Sequence, residues 1–330
     1  LFKRYYDVEA GGNWEGKTIL NVAEAPETLA AEAGLTAEEF EAQMAAARAK
    51  LYRVRAERIW PGLDDKVLTS WNGLMLAALA EAGRYLGRED YTAAAVANAE
   101  FLYERMRGDD GRLSRTWKAG HEAKLNGYLE DYAYLAEGVL ALYQTTFEPR
   151  WFAWAQELVE LMIAHFGDEA GGFFDTADDH EQLLYRPKEL QDNATPSGNS
   201  VAAGVLLQMS LLTGNGDYWE RAAQMINGLY GPLLQYPRGF GNWLSAAQLM
   251  VNEPQELALV GDNVAGFVAV VRAAWRPWLV VAAGDGEDDG GVPLLGERPL
   301  VDGEAAAYLC QRFVCQRPVT TVEGLVDLLG

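Results

Sequence analysis

The sequence predicts a mainly α-helical protein built from stacked helical hairpins, with a small α/β region at its C-terminal end. Three observations predict this. A turn–aromatic–alanine spacing recurs along the first two-thirds of the chain, at Gly87, Tyr91 and Ala95, at Phe147, Trp151 and Ala155, and at Gly214, Tyr218 and Ala222. Turn and aromatic are four residues apart each time, aromatic and alanine four again, one helical turn on a single face. The segment before each turn is small and apolar with polar residues only at its start, whereas the segment after it carries more charge, as at Glu100, Glu104, Arg105 and Arg107. Each unit therefore reads as an inner helix, a short turn and a returning outer helix. Past residue 252 the helical period gives way to short apolar runs between turn residues.

Taken in order, residues 1–20 end a helix and pass through the Gly-rich turn Gly11-Gly12-Asn13-Trp14-Glu15-Gly16. Thr36 to Glu57 reads as a long, charged, Ala-rich helix; Thr36 and Glu39 make a capping box, and Pro61-Gly62 breaks the helix. The three hairpins follow, with a fourth unit starting at Tyr236-Pro237-Arg238-Gly239-Phe240-Gly241-Asn242-Trp243 and running to Val251. Their period exceeds the roughly 34 to 47 residues of common helical repeats. The excess lies in loops before the inner helices, at 108–129, 166–196 and 235–242. Long loops at one end of a helical scaffold usually build a site. In the last segment, Glu256–Val260, Trp278–Ala283 and Ala306–Phe313 read as strands, and Val264–Trp275 and Thr321–Leu329 as helices. The expected domains are 1–252, the hairpins, and 253–330, a small α/β extension packed on them. Hairpins of this kind either run on as a solenoid or close into a ring.

Composition narrows the function. A net charge of −21 argues against nucleic acid or an anionic lipid surface as partner. No apolar run reaches the roughly 20 residues of a membrane helix; the longest, Val264 to Gly284, is interrupted by Arg272, Arg276 and Pro277. The chain opens Leu1-Phe2-Lys3-Arg4-Tyr5-Tyr6, with neither a secretory pattern nor a starting Met. It reads as a piece of a longer, cytoplasmic protein. Cys310 and Cys315 are spaced neither as a redox C-x-x-C nor as a zinc set, and are read as reduced, incidental thiols. His121, His165 and His180 are scattered, so no metal and no cofactor are expected. Leu257 to Asp262 ends strand-like in Gly-Asp but lacks the Gly pattern of a dinucleotide site.

The densest chemistry lies in Arg186-Pro187-Lys188-Glu189 and Asp192-Asn193-Ala194-Thr195-Pro196-Ser197-Gly198-Asn199-Ser200, just before the apolar run Val201–Leu212. Ser197 reads as the helix cap and Pro196 stops any earlier helix. The cluster thus sits at a helix N-terminus, where backbone N–H groups point outward. It is one wall of a polar pocket or an elaborate capped turn.

This cluster, with Gly12-Asn13-Trp14-Glu15-Gly16, Leu63 to Gly73, Leu129-Glu130-Asp131-Tyr132-Ala133 and the closing Cys310…Cys315-x-x-Pro318-Val319-Thr320, resembles one family. The motifs look like the C-terminal two-thirds of the spermatogenesis-associated, thioredoxin-domain-containing proteins found from bacteria to animals. The resemblance covers nearly the whole chain. It implies a six-hairpin (α/α) toroid like that of glycosidases and N-acylglucosamine 2-epimerases, incomplete here at its N-terminus. It also implies an upstream thioredoxin-like domain as partner.

In such a ring the inner-helix starts converge on a central pocket. Asp65, Asp131 and Asp192 stand at three of these starts, as candidate catalytic carboxylates or as helix caps. Glycoside hydrolysis needs a carboxylic acid and a carboxylate about the scissile bond, and Asp131 with Asp192 is the expected pair. The acid has to stay protonated through burial or a like charge, for which Glu130 and Glu189 are at hand. Trp71, Tyr132 and Trp243 offer flat faces to a sugar ring or fill the core. Lys66, Arg186 and Lys188 suit a carboxylate or phosphate on a sugar acid or sugar phosphate, unless Arg186 and Lys188 pair with Glu189 and Asp192. Asn72, Asn126, Asn193 and Asn199 suit hydroxyls, or tie loops. The leading reading is a glycosidase-like enzyme acting on a small carbohydrate ligand. An epimerase ranks lower because its base is usually His and only His121 lies near a motif. The third reading is a non-catalytic carbohydrate-binding or scaffold ring.

Overall fold

The computed structural model describes residues 1–181 and 184–330. They form two units, 1–64 and 65–330, so the expected boundary after residue 252 falls inside the second. The first unit holds α1 (Phe2–Tyr5), α2 (Pro26–Glu32) and α3 (Ala37–Ala56). The capping box at α3 is formed: Thr36 Oγ1 accepts from Glu39 N–H at 3.2 Å and Glu39 Oε2 accepts from Thr36 N–H at 2.9 Å. Leu29, Ala30, Phe40 and Met44 make its core, against Tyr5, Tyr6 and Leu35.

The second unit begins with β1 (Val67–Leu68), α4 (Thr69–Leu86), α5 (Glu89–Arg105), β2 (Ser114–Trp117), β3 (Lys124–Asn126), α6 (Leu129–Thr146), α7 (Pro149–Phe166), α8 (Gly198–Thr213), α9 (Gly216–Gly228), α10 (Tyr230–Gln235) and α11 (Gly241–Val251). The helical pairs α4–α5, α6–α7 and α8–α9 are the three predicted hairpins. Each inner helix ends on a left-handed residue, Gly87 (φ 63°), Phe147 (φ 59°) and Gly214 (φ 72°). This C-cap reverses the chain. Ala95, Ala155 and Ala222 are fully buried one turn beyond the repeated aromatic. The helices α6 and α8 are buried nearly all round, whereas α7 and α9 bury one stripe. Inner helices α4, α6, α8 and α11 neighbour one another in chain order, the arrangement of an (α/α) toroid. A small antiparallel sheet, β1-β2-β3, pairs the residues just before α4 with two strands of the loop before α6; its strands are too short to leave a period in the sequence.

Glycines set the closest helix contact. A Cβ on Gly73 of α4 would lie 2.7 Å from Leu135 N of α6, and one on Gly138 of α6 would lie 2.8 Å from Gly73 O. Neither neighbour is a movable side chain. Gly73→Ala is expected to cost about 1–3 kcal/mol in urea unfolding, although alanine gains up to about 1 kcal/mol in helix propensity. A stabilised Gly73→Ala would show that the helices can part.

The remaining elements are β4 (Gln255–Val260), α12 (Ala265–Arg272), β5 (Leu279–Gly284), β6 (Ala306–Gln311), β7 (Val314–Cys315) and α13 (Val322–Leu329), close to the predicted strands and helices. The sheet order is β5-β4-β6-β7, with β4 parallel to β5 and antiparallel to β6. Side chains alternate between its faces. Ala258, Val260, Val280 and Ala282 join the hairpin core, while Leu257, Leu259, Val281 and Leu309 pack with Phe267 of α12 and Leu325 of α13. Gln144 of α6 accepts from Val281 N–H at 3.1 Å, satisfying the edge of β5. One expectation is corrected here. Cys310 and Cys315 are not free thiols but form a disulfide, because the β6–β7 hairpin puts them directly opposite each other.

Candidate functional site

The loops before α6 and α8 begin alike. Residues 107–113 and 167–173 each close through an isolated bridge, Arg107 with Leu113 and Gly167 with Phe173. The inner helix that follows then holds the loop. Tyr132 Oη accepts from Leu113 N–H at 2.9 Å, and Asn199 Oδ1 accepts from Phe173 N–H at 2.8 Å. Tyr132 and Asn199, expected at a ligand, are thus loop ties in equivalent places. Tyr132 also accepts from Arg112 Nε at 3.2 Å, and Asn199 Nδ2 donates to Phe173 O and Glu189 O at 2.9 and 3.1 Å.

Two of the predicted aspartates stitch neighbouring inner helices together. Asp131 is fully buried. Its Oδ1 accepts from Ser70 N–H at the start of α4 at 2.9 Å, and its Oδ2 accepts from Tyr128 N–H at 2.9 Å and Arg115 Nη1 at 3.1 Å. Burial pushes its carboxyl up to about 6, against the pull of Arg115 and of the backbone N–H groups. Asp192 Oδ1 accepts from Ser197 N–H (2.9 Å) and Ser200 Oγ (2.7 Å), and Oδ2 from Asn242 N–H at the start of α11 (2.8 Å). Asp192→Ala strips all three donors and is expected to cost about 1–3 kcal/mol. Asn193→Ala, on the exposed rim, should stay within about 0.5 kcal/mol. Urea midpoints for the two variants would check the contrast.

The cations of the dense motif are also engaged, with other partners than Glu189 and Asp192. Arg186 Nη2 donates to His165 O at 3.1 Å and to Thr176 O, and its guanidinium lies 4.2 Å from the centre of the Phe174 ring. Lys188 Nζ ion-pairs with Asp168 and donates to Gly171 O at 2.6 Å. Trp243 is fully buried and donates from Nε1 to Leu190 O at 2.7 Å.

A pocket of about 380 Å³ opens at the N-terminal ends of α6 and α8, lined by Tyr128, Glu130, Asp175, Glu189, Gln191, Asn193, Thr195, Pro196, Ser197 and Gly198. Among these described lining residues are three carboxylates and no Lys, Arg or His. Of the predicted site residues only Asn193 lines it; Asp65, Asp131 and Asp192 do not. Asp175 is central. Its backbone accepts from Leu129 N–H at 2.9 Å and donates to Pro187 O at 2.8 Å, joining the start of α6 to the Arg186-Pro187-Lys188 segment. Its carboxylate oxygens accept Glu189 N–H at 3.1 and 3.0 Å. Burial raises its carboxyl above the ordinary range, and the charges of Glu189 and Glu130 add to that; the Glu189 N–H and Lys188 oppose it. Glu130 Oε1 lies 2.9 Å from Arg115 Nη1, and that guanidinium sits over the Tyr128 ring at 4.4 Å.

Sequence reading missed Asp175. The signal available was Gly171-Gly172-Phe173-Phe174-Asp175, a turn leading into an aromatic pair and a carboxylate inside the longest loop. The other predicted residues lie elsewhere. Asp65 ion-pairs with Lys118 at 2.7 Å, beside the exposed Lys66. Trp71 is 65% exposed at the start of α4. Asn72 donates to Leu68 O and accepts from Asn98 Nδ2, both at 2.8 Å. Asn126 is exposed at the end of β3, paired with Ser114.

Among the described residues, His165, Asp178 and Asp179 place potential metal ligands within 4.8 Å of one another. Asp179 is already gripped by Arg112 through both oxygens, at 2.9 and 3.0 Å, and His165 Nδ1 is 3.0 Å from Asp178 Oδ1. A larger hollow of about 540 Å³ lies between α5 and α7, but its arginines are paired, Arg107 with Glu157 and Arg150 with Glu100.

No family model matches the chain. It is 30% identical over its whole length to spermatogenesis-associated protein 20 of Rattus norvegicus and of Homo sapiens. The chain spans 45% of those two relatives, so it corresponds to under half of each. Among solved structures it is similar to cellobiose 2-epimerase from Bacillus thermoamylovorans (TM-score 0.44, 14% identity, 51% of this chain and 45% of that one). It is similar also to a D-mannose isomerase (0.43, 17%, 51% and 43%) and to a family 105 glycoside hydrolase from C. acetobutylicum (0.41, 11%, 64% and 61%).

Proposed function

We propose that the pocket at the starts of α6 and α8 binds a small polyhydroxylated ligand and acts on it by two-carboxylate, glycosidase-like chemistry. The observation that carries this reading is an open pocket in which one carboxyl, Asp175, is raised by burial and by two neighbouring carboxylates. Pairs of carboxyls in unlike environments are how acid and base roles are divided in one site. Asp175 is the proposed acid and Glu130 or Glu189 the proposed carboxylate partner. Asn193, Gln191 and Thr195 supply amide and hydroxyl groups for sugar hydroxyls. Asp131 and Asp192 are positioning residues, fixing the helix that carries Glu130 and the loop that carries Glu189.

The charge of the lining bears on the substrate. Glu130 and Glu189 beside the raised Asp175, with Arg115 already engaged by Glu130 and Asp131, disfavour sugar acids and sugar phosphates and favour neutral or amino sugars. A second reading, a binding ring without catalysis, draws on the same loops: Asp131, Asp192, Arg186, Lys188 and Asn199 are all used in holding structure. Hydrolysis assays on a panel of neutral, amino and acidic aryl glycosides separate the two. The catalytic reading expects turnover of neutral or amino glycosides by the wild type. Binding without turnover would leave the ring reading standing, and turnover confined to acidic glycosides would overturn the charge argument.

A further inference from the structure

The turn between β6 and β7 passes through Arg312 and Phe313, both at positive φ (51° and 61°), and returns Cys315 to Cys310. Cys310 is buried and Cys315 is partly exposed. Arg298 comes in from the loop before β6, and at 9% exposure it is nearly enclosed. Its Nη2 lies 3.4 Å from Cys315 Sγ and 3.7 Å from Cys310 Sγ. Its Nη1 donates to Gly296 O at 2.8 Å, and its Nε is buried without a hydrogen-bond partner. A neutral disulfide repays a buried guanidinium poorly, since sulfur is a weak acceptor. A thiolate in the same place would make a charge-assisted bond. The arginine is therefore matched to the reduced form of the pair.

We propose that Cys310–Cys315 is a thiol–disulfide exchange site, with Cys315 as the sulfur attacked and Arg298 as the positioning cation for the thiolates released. A dithiol supplies both electrons. Its first thiolate attacks the accessible Cys315 Sγ, the S–S bond breaks, and Cys310 leaves as a thiolate beside Arg298. The second thiol of the reductant then attacks its own sulfur in the mixed disulfide and expels Cys315. The reductant ends as a disulfide and the protein as two cysteines, and of the two protons lost by the dithiol one or both are taken up according to pH. A leaving thiol of lowered pKa leaves faster, so the arginine assists both steps. The other titratable groups facing Arg298 are Glu256 of β4, whose Oε2 accepts from Phe313 N–H at 2.8 Å, Tyr308 of β6, whose hydroxyl donates to Pro299 O at 2.6 Å, and Glu297. Burial holds the Glu256 carboxyl above the ordinary range, against the pull of the Phe313 and Arg312 N–H groups and of Arg298.

The test is reduction of the intact chain by dithiothreitol between pH 6 and 9, followed by iodoacetamide trapping and mass spectrometry. Wild type should reduce without denaturant and take up alkyl groups at both cysteines. Its alkylation midpoint should lie about one unit or more below the ordinary thiol value near 8.5. Arg298→Gln should raise the midpoint and slow reduction several-fold, and Arg298→Lys should fall between. A wild-type midpoint at or above the ordinary value, or a bridge reduced only on unfolding, overturns the proposal. So does a lysine variant and a glutamine variant that both behave as wild type. Should Arg298→Gln fail to fold, the wild-type midpoint and Arg298→Lys decide it.

Discussion

Asp175→Asn is expected to abolish most turnover while leaving the protein folded. Under the proposed chemistry Asp175 is the proton donor, and removing a positioned general acid typically costs about 10²–10⁴-fold in rate. The amide keeps the volume of the carboxyl and one acceptor oxygen for Glu189 N–H, so the Arg186-Pro187-Lys188 segment should hold its place. The amide is neutral, like the protonated acid that it replaces, so the fold should be about as stable as the wild type. Activity lost with the unfolding midpoint kept is therefore the expected signature. Loss of both would instead mark the Asp175 side chain as a structural tie to Glu189. Turnover unchanged would remove it from the mechanism.

Asp131 should show the opposite profile. Asp131→Ala leaves Ser70 N–H and Tyr128 N–H without their acceptor and deprives Arg115 of one of its two carboxylates. A loss of about 2–5 kcal/mol is expected for stranded buried donors and a broken buried pair. The wild type also carries a pH signature. Its Asp131 titrates near 6 when folded and near 3.8 otherwise, so the folded state holds the proton more tightly. Stability from this group is full at acid pH and falls as pH rises from about 4 through 6, by up to about 3 kcal/mol. The alanine variant lacks this titration. Its deficit should be largest near pH 4 and shrink toward pH 7, measured as urea unfolding across that range. A deficit that grows with pH would mean that Arg115 and the backbone donors outweigh burial.

The hairpins were legible because their constraints are local. Gly87 and Gly214 can take a left-handed C-cap at no steric cost, and Phe147 stands in the same position, so the four-residue count to the next aromatic survived even where the glycine did not. The sheet was legible because alternate residues of β4 bury on opposite faces, which leaves the apolar run Leu257–Val260 between turn residues. Its disulfide was not, since the approach of Cys310 to Cys315 depends on the hairpin register and not on their spacing. The site was half legible. The polar motifs do mark the pocket end of the inner helices, yet most of their side chains are spent on holding loops. A sequence shows which residue types are dense; it does not show which lone pairs are already taken. Arg186 and Lys188 read as ligand cations until their partners, Thr176 O and Asp168, are in view. Asp175 was overlooked for the converse reason, because it stands outside the motif and reaches the pocket through a turn.

The most direct test of the pocket itself is a thermal-shift titration with neutral and amino monosaccharides, run on wild type, Thr195→Trp and Glu189→Gln. Thr195 is an exposed lining residue, and an indole there is expected to narrow the opening while every carboxylate of the pocket is kept. A sugar at 100 times its Kd should stabilise the wild type by about 2.7 kcal/mol. The account predicts that this shift appears in wild type, vanishes in Thr195→Trp and weakens in Glu189→Gln. A shift that persists in Thr195→Trp, or no shift with any sugar, would contradict it.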